Sequence, residues 1–428
     1  MRWEQKLQHA TLSDIGLRRQ NNEDSSATHI CHDEGEFDHR GHLFVVADGM
    51  GGHAVGELAS QMAVEAVPHT WFKVPGHDPR EALRVSITAA NKLINERGSQ
   101  NRDFLRMGTT CTALALTPRG AVIGHVGDSR CYRIRRDRID QLTFDHSLQW
   151  EMQRQNRRLA NEAAMLEHRN IITRSLGPEP SVDVDMEGPF LVLPGDIFVL
   201  CSDGLSGEVK DEEIGALAGE LSPAQACRML VHLANLRGGA DNCTVTVVRV
   251  GDLPANVAPP QLPTPDDGDA GLDWTWLGLG WAAACLCLMG FLLIAFSRPW
   301  VGAGFIGCAL AAFGWIFAVM LRQRRSRQIP ESDLSRTNYW RPYRTAISQP
   351  MQQMLENLLA VEAELSRAAR EEGWPVNWSQ HTAALQAAAE ARTERRFARG
   401  VRDAARAIDL LMTPMYAFRR ESKNVSTR

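Results

Sequence analysis

Hydrophobic and polar residues follow two different periods over the first 250 residues. A helical period covers about residues 54–67 and 79–94, and a third helix is predicted from Pro223, with Ser222 as its N-cap and Gly238 as its stop. Short apolar runs typical of buried strands are LFVVA, TCTALAL, AVIGHV, IFVLC and TVTVVRV. Between them, residues 145–180 are polar and predict a mobile surface subdomain.

Four of the predicted strands have an aspartate at one end. These residues are Asp48, Asp128, Asp203 and Asp241, and the first three lie beside a glycine. One such acid commonly caps a turn, but four of them predict a single cluster of carboxylates. A cluster of negative charge requires cations, and all-oxygen ligands favour Mg²⁺ or Mn²⁺ over zinc.

Composition narrows the class of protein. Residues 1–252 carry 27 Lys and Arg against 35 Asp and Glu, whereas residues 322–428 carry 19 against 12. The nine cysteines form no CxxC pair, which favours reduced thiols in the cytosol over disulfides or a zinc site. The first residues contain no apolar core of a cleavable signal.

A membrane hairpin is predicted after the first domain. Residues 253–273 form a Pro- and Asp-rich linker, and residues 274–296 and 300–321 are apolar runs long enough to cross a bilayer. Tryptophans lie at the ends of the runs, and the RQRRSR segment at 322–327 predicts a cytoplasmic flank. We therefore expect a multi-pass protein of the inner membrane with both soluble parts in the cytoplasm. The alternative is a buried soluble hairpin.

The tail, within residues 322–428, is predicted to be a basic juxtamembrane segment followed by helices. One apolar stripe runs from Met351 to Leu365 and a second from Phe397 to Met415, with Gly373 and Pro375 between them. The stripes fit a self-packed helical hairpin or, alternatively, a coiled coil that binds a helical partner or a second copy. Basic charge next to a membrane favours anionic headgroups, and nucleic acid is not expected.

Six motifs resemble those of a known family. The segments GLRRQNNED, VVADGMGGH, GDSRCYRIR, ITRSLG, VLCSDGL and DNCTVTVV are similar, in this order, to motifs of the metal-dependent serine/threonine phosphatases of the protein phosphatase 2C family, in its bacterial variant. The resemblance covers residues 7–252. It implies a phosphatase domain over residues 1–252, with a flap at about 145–185. The implied fold is an α+β four-layer sandwich of two antiparallel β-sheets flanked by helix pairs.

The resemblance also implies roles for individual residues. Asp48 would bridge two Mn or Mg ions, the Gly49 carbonyl would be a ligand, and Asp203 and Asp241 would complete the second ion's shell. Asp128 would hold a third, weaker ion together with Asp203. The supporting acids would be Glu23 and Asp24, and Arg19 would clamp the substrate phosphate.

The implied reaction is hydrolysis of phosphoserine and phosphothreonine by a metal-bridging water. Partners would then be phosphorylated proteins and an opposing serine/threonine kinase, as in signal transduction. The histidine that many eukaryotic members have after the Asp-Gly pair is replaced by Met50, and His53 is interpreted as structural. Two alternatives remain: a non-catalytic adaptor of the same fold that binds phosphoproteins, and a two-metal hydrolase of another phosphoester.

Overall fold

The structure is a computed structural model of the 428-residue chain. It describes residues 7–51, 54–74, 78–101, 104, 107–148, 150, 171–251, 285, 288–296, 301, 303, 305–307 and 342–426. The described elements belong to two units, one formed by Met1–Val257 with Trp340–Arg428 and the other by Ala258–Tyr339.

Twelve strands are assigned among the described residues of the first unit. They are β1 (Gln8–Asp14), β2 (Asp24–His29), β3 (His42–Met50), β4 (Gly108–Thr109), β5 (Cys111–Thr117), β6 (Gly120–Val126), β7 (Arg130–Arg135), β8 (Arg138–Gln141), β9 (Asp185–Phe190), β10 (Ile197–Cys201), β11 (Cys243–Arg249) and β12 (Arg344–Ile347). All the pairings among them are antiparallel.

Nine helices are assigned in the parts of this unit that the structure describes. They are α1 (Glu34–His39), α2 (Ala54–Lys73), α3 (Pro79–Ser99), α4 (Asp203–Ser206), α5 (Asp211–Glu220), α6 (Pro223–Leu236), α7 (Met351–Glu372), α8 (Trp378–Thr393) and α9 (Phe397–Ser426). The three helices predicted in the first 250 residues are confirmed as α2, α3 and α6.

The strands form two sheets packed face to face. One has the order β1-β11-β10-β7-β8-β12, and the other has the order β2-β3-β5-β6-β9 with β4 paired to β3. Strand β3 shows how the alternating side chains build the layers: Phe44 and Val46 lie in the core between the sheets, whereas Val45 joins the core under α2 and α3. The α+β fold of two antiparallel sheets with helices is therefore confirmed.

The tail packs on itself and also on the first domain. Strand β12 joins the edge of the first sheet beside β8, and α9 packs against both α7 and α8. Smaller contacts join α7 to α5, and α9 to α5 and α6. Leu355 and Leu411 are fully buried in the same hydrophobic cluster as Leu230 of α6. The arrangement is thus close to the predicted self-packed hairpin, but it has a middle helix, α8, and contacts to the first domain that the sequence did not predict.

The predicted linker at 253–273 and most of both predicted spans, 274–296 and 300–321, lie outside the described residues. None of the helices that the structure describes is long and apolar enough to cross a membrane. The described part of the first apolar run is helical over residues 288–295 and carries exposed large side chains, among them Leu288, Phe291 and Phe296.

Candidate metal centre

The acidic residues predicted at strand ends meet at one end of the sandwich. Asp24 at the start of β2 is paired in register with Asp48 near the end of β3. Asp203 begins α4 directly after β10, and Asp241 precedes β11. Adjacent strands thus bring residues distant in sequence to one place, because β10 and β11 are neighbours in the first sheet.

The charges of these acids act on one another. Burial raises the pKa of Asp48 well above its ordinary value, and the negative charges of Asp24, Asp203, Asp128 and Asp241 raise it further. Burial and the same repulsion raise the pKa of Asp203 to about 6. Carboxylates this close oppose each other's ionisation, so a bound cation would be strongly favoured.

Asp24 is a buried member of the cluster. Its Oδ2 accepts a hydrogen bond from Ser202 Oγ at 2.7 Å. Burial raises the pKa of Asp24 to about 7, and neighbouring carboxylates contribute to the increase, while hydrogen bonds from Ser202 and Thr244 oppose it. The supporting role that the family resemblance implies for Asp24 stays a prediction.

The donor set fits hard divalent ions. Among the described residues, buried carboxylate oxygens without a hydrogen-bond partner include Oδ1 of Asp24, Asp128 and Asp203. Buried oxygens of this kind are rarely left without a partner unless an ion or a water binds them. Within the described ranges, however, no three His, Cys, Asp or Glu side chains converge closely enough to hold one ion. The complete ligand set, including Asp128 and Glu23, therefore stays a prediction.

Close packing at Gly49 explains why a glycine follows Asp48. A Cβ atom at this position would collide with the backbone carbonyl of Gly56. The amide of Gly49 donates to the carbonyl of Glu23 at 3.1 Å, which ties the end of β3 to the loop before β2. No side chain covers the Gly49 carbonyl from its own residue, so the backbone can approach a ligand closely.

Arg19 lies beside the acidic cluster, as predicted. Its Nη2 donates to Oδ2 of Asp241 at 2.7 Å, and both side chains are partly exposed. The other oxygen of Asp241 accepts a hydrogen bond from the amide of Asn242 at 2.8 Å. A half-exposed guanidinium at the rim of a cation site is suited to contact an anionic substrate.

Several positioning residues were missed in the sequence. Asn242 accepts from the amide of Glu23 and donates to the carbonyls of Ile15 and Asn21, which connects the loop of Arg19 to β11. Thr110 Oγ1 accepts from the amide of Asp48 at 2.9 Å. The only sequence feature that could have indicated a role for Asn242 is its position next to Asp241. Nothing in the strand pattern distinguished Thr110 from the other strand residues.

A buried histidine holds the turn that carries Asp128. His146 Nδ1 accepts from the amide of Gly127 at 3.0 Å, and its Nε2 lies 3.0 Å from Oδ2 of Asp185. His146 is therefore a structural residue of this turn. His53 and residues 151–170 of the predicted flap at 145–185 lie outside the described residues.

A groove of about 1150 Å³ opens onto Asp128, Asp203 and Asp241. Its walls include Arg130, whose guanidinium is bound to both oxygens of Asp145 at 2.7–3.1 Å. Residues of the tail also line it, a feature that the sequence did not predict. The groove gives an extended ligand access to the acidic cluster.

Comparison with known proteins agrees with the family resemblance of the first half of the chain. A family model described as "Protein phosphatase 2C" matches residues 19–234. Protein phosphatase PhpP of Streptococcus pneumoniae is 33% identical over 250 residues, which are 58% of this chain and 98% of that protein. The matched family region ends at residue 234, before β11, β12 and the three C-terminal helices.

Two solved structures of similar proteins share the fold. The Mycobacterium tuberculosis serine/threonine phosphatase PstP/Ppp is 35% identical, with a TM-score of 0.50 over 57% of this chain and 99% of that one. The S. agalactiae serine/threonine phosphatase is also 35% identical, with a TM-score of 0.51 over 57% of this chain and 99% of that one.

Proposed function

The chain belongs to the protein phosphatase 2C family, and on that premise we propose that it hydrolyses phosphoserine and phosphothreonine esters in proteins with Mn²⁺ or Mg²⁺. The observation that carries the proposal is the cluster of Asp24, Asp48, Asp128, Asp203 and Asp241 beside Arg19. An adaptor that only binds phosphoproteins has no need of so many opposed carboxylates.

The acids would hold the ions, and other side chains would hold the substrate. Asp48, Asp203, Asp241 and the Gly49 carbonyl are the groups that would bind two ions, with Asp128 at a third. When bound, a pair of such ions lowers the pKa of a water molecule and orients it for in-line attack on phosphorus.

Arg19 would bind the phosphate. Its planar guanidinium can donate to two phosphate oxygens at once, and its positive charge offsets the charge that accumulates there during the reaction. The Asp241 carboxylate holds the guanidinium in place through the 2.7 Å hydrogen bond. Met50, by contrast, has no proton to donate, so this side chain cannot serve as the general acid for the leaving hydroxyl.

The direct test is phosphate release from a phosphothreonine peptide by the full chain. We expect turnover with Mn²⁺, none with a chelator, and none in an Asp48→Asn variant that remains folded. Asp183→Asn is a matched control, since Asp183 is an exposed residue whose side chain has no role in the cluster. Peptide binding without hydrolysis would support the adaptor instead. Faster cleavage of a phosphodiester than of the peptide would indicate another phosphoester substrate.

We further propose that residues 274–296 and 300–321 attach the enzyme to the cytoplasmic face of the inner membrane. The support is the length of the two apolar runs, the basic segment at 322–327, and the exposure of side chains such as Phe291, which is 62% exposed. Substrates would then be proteins phosphorylated near that membrane by a serine/threonine kinase.

Extraction of cell membranes with alkaline carbonate tests this attachment. The full chain should remain in the membrane fraction, and a variant with Leu288→Arg and Phe291→Arg should be released, because charge is costly inside a bilayer. Release of the unaltered chain by carbonate would contradict the proposal. Protease added to inverted membrane vesicles should digest both the phosphatase domain and the tail.

A further inference from the structure

The groove at the metal centre is completed by the tail. Tyr343 and Arg344 line it together with Asp128, Asp203 and Asp241, although they follow those acids by at least 100 residues in the sequence. The family match ends at residue 234, so this part of the wall lies outside the region shared with that family model. A groove wall that lies outside the matched family region is a place to look for substrate selection.

The tail segment is held rigidly against the sheet. Arg344 is paired with Gln141 of β8, and Thr345 Oγ1 donates to the buried Asp140 at 2.8 Å. The Tyr343 hydroxyl donates to Glu187 at 2.6 Å, and its ring centroid lies 5.5 Å from that of Phe144. Groups that select a substrate must be positioned in advance, and these contacts position Arg344.

Arg344 differs from the other arginine of the groove. Arg130 is buried and fully bound, to Asp145 and to the Tyr132 hydroxyl. Arg344 is 58% exposed, lies 3.9 Å from Asp211 and 5.9 Å from the centroid of the Trp150 ring, and its charge also acts on Asp145. Its N–H groups therefore remain accessible to a ligand in the groove.

The nearby Asp211 does not form a hydrogen bond with the Arg344 side chain. Asp211 already accepts a hydrogen bond from the Tyr132 hydroxyl at 2.9 Å and lies 3.8 Å from Arg130. At 3.9 Å, its contact with Arg344 is too long for a hydrogen bond, and such a partly exposed pair contributes little. The exposed Lys210 lines the same groove and adds a second positive charge.

We propose that Arg344 is a specificity-determining residue that binds an acidic side chain next to the phosphorylated residue of the substrate. The proposal rests on the proposed function, because it concerns the peptide whose phosphate is removed at the metal centre. A carboxylate beside Arg344 would form a charge-assisted hydrogen bond at the groove wall. The Trp150 ring, whose centroid lies 5.9 Å from the guanidinium carbon, would help to orient Arg344.

The test uses the full chain and a series of phosphothreonine peptides. A single glutamate is moved along the peptide on either side of the phosphothreonine, and each peptide has a glutamine counterpart. At one position or a few adjacent positions, we expect kcat/KM to be about threefold to tenfold higher with glutamate. The Arg344→Ala variant should lose this ratio, and Arg344→Glu should favour lysine at the same position.

Arg399→Ala is the matched control. Arg399 lies on α9, is 51% exposed, and has an acidic partner of its own, Asp403, at 3.6 Å, so its exposure and pairing resemble those of Arg344. This variant should keep the wild-type ratio of glutamate to glutamine. Hydrolysis of p-nitrophenyl phosphate, which has no flanking residues, reports the chemistry at the metal centre in every variant.

Several outcomes would overturn the proposal. An unchanged ratio in Arg344→Ala would exclude the contact, and an equal loss on both peptides and on p-nitrophenyl phosphate would show that Arg344 acts only through structure. A wild-type preference for lysine would show that Glu208 and Glu212, which also line the groove, dominate selection. No hydrolysis of p-nitrophenyl phosphate by the unaltered chain would refute the proposed function itself, and this inference with it.

Discussion

The two ends of the chain contribute to one catalytic unit in different ways. Residues 7–251 carry the acids and Arg19 in short sequence motifs. Such motifs can be recognised without knowing how the strands are arranged. Residues 342–426 carry no such motif, yet they supply an edge strand, three helices and part of the groove wall. Residues that take part in the chemistry can therefore be predicted from local sequence. A segment that contributes by packing can be recognised only when the surface against which it packs is known.

The largest expected effect belongs to the motif-bearing end. Asp203→Asn removes a charge from the acidic cluster and, on our assignment, a metal ligand, so kcat should fall at least roughly a hundredfold while the fold remains intact. Circular dichroism and phosphate release with Mn²⁺ would measure both. Wild-type turnover in this variant would remove Asp203 from the ligand set, and Asp183→Asn provides the matched control.

The next prediction concerns whether the tail folds together with residues 7–251. Leu411→Ala should cost about 2–5 kcal/mol of unfolding free energy, because Leu411 is fully buried in the cluster that contains Leu230. Denaturant unfolding should show one shifted transition, like that of Leu230→Ala. A separate early transition would mean that the tail folds independently. The exposed Leu93→Ala should change little.

Arg19→Ala tests the substrate side of the same end. Loss of the guanidinium should raise KM for phosphopeptides by about tenfold, with a smaller change in kcat, since Arg19 contacts substrate rather than the attacking water. The neighbouring Arg18→Ala serves as the control, because Arg18 is equally exposed. Steady-state kinetics with Mn²⁺ would separate the two constants. An unchanged KM would exclude Arg19 from the phosphate site.

The opposed carboxylates predict an unusual dependence of stability on pH. The pKa of Asp24 is raised to about 7 and that of Asp203 to about 6, from 3.8. The folded state therefore keeps protons that the unfolded chain has released, and stability in chelator should fall as pH rises from about 4 to 7. Mn²⁺ should reverse this loss. Thermal unfolding across that range, with and without Mn²⁺, would reveal a difference of several degrees, and parallel curves would contradict it.

The smallest expected effect lies at the junction of the two ends. The Tyr416 hydroxyl of α9 accepts a hydrogen bond from Asn235 Nδ2 at 2.9 Å, and the same amide donates to Asp14 at 3.0 Å. Tyr416→Phe should cost about 1 kcal/mol of stability. Because Asp14 also accepts from the amide of Gly16, near Arg19, a small rise in KM should accompany it. No change in either quantity would show that this contact does not connect the tail to the catalytic loop.

The parts of the fold that sequence reasoning found share a property. Long apolar runs bounded by motif residues form strand β3, the strand before Asp203 and the strand after Asp241. At these places the hydrophobic pattern and the motif both predicted a strand. The clustering of the acids followed from their common position at strand ends. Asn242 escaped notice because its role lies in hydrogen bonds to distant backbone groups.

The missed elements lacked any local signal. Strand β12 reads RTAI, and four residues of this kind are assigned to a strand only because β8 offers an unpaired edge. Helix α8 buries mainly alanines, such as Ala384 and Ala388, whose small side chains produce no apolar stripe. The stripes of α7 and α9 were found, but a stripe does not specify the surface that covers it.

The position of β12 in the chain also sets an order of events during synthesis. β12 begins about 95 residues after β11 ends, so a ribosome needs roughly 5 to 20 s to proceed from one to the other. During that interval, the acids at the metal centre have already been made, while β8 still has an open edge and the groove has no Arg344. A nascent chain would thus hold the residues for chemistry before it holds the wall that we assign to substrate selection.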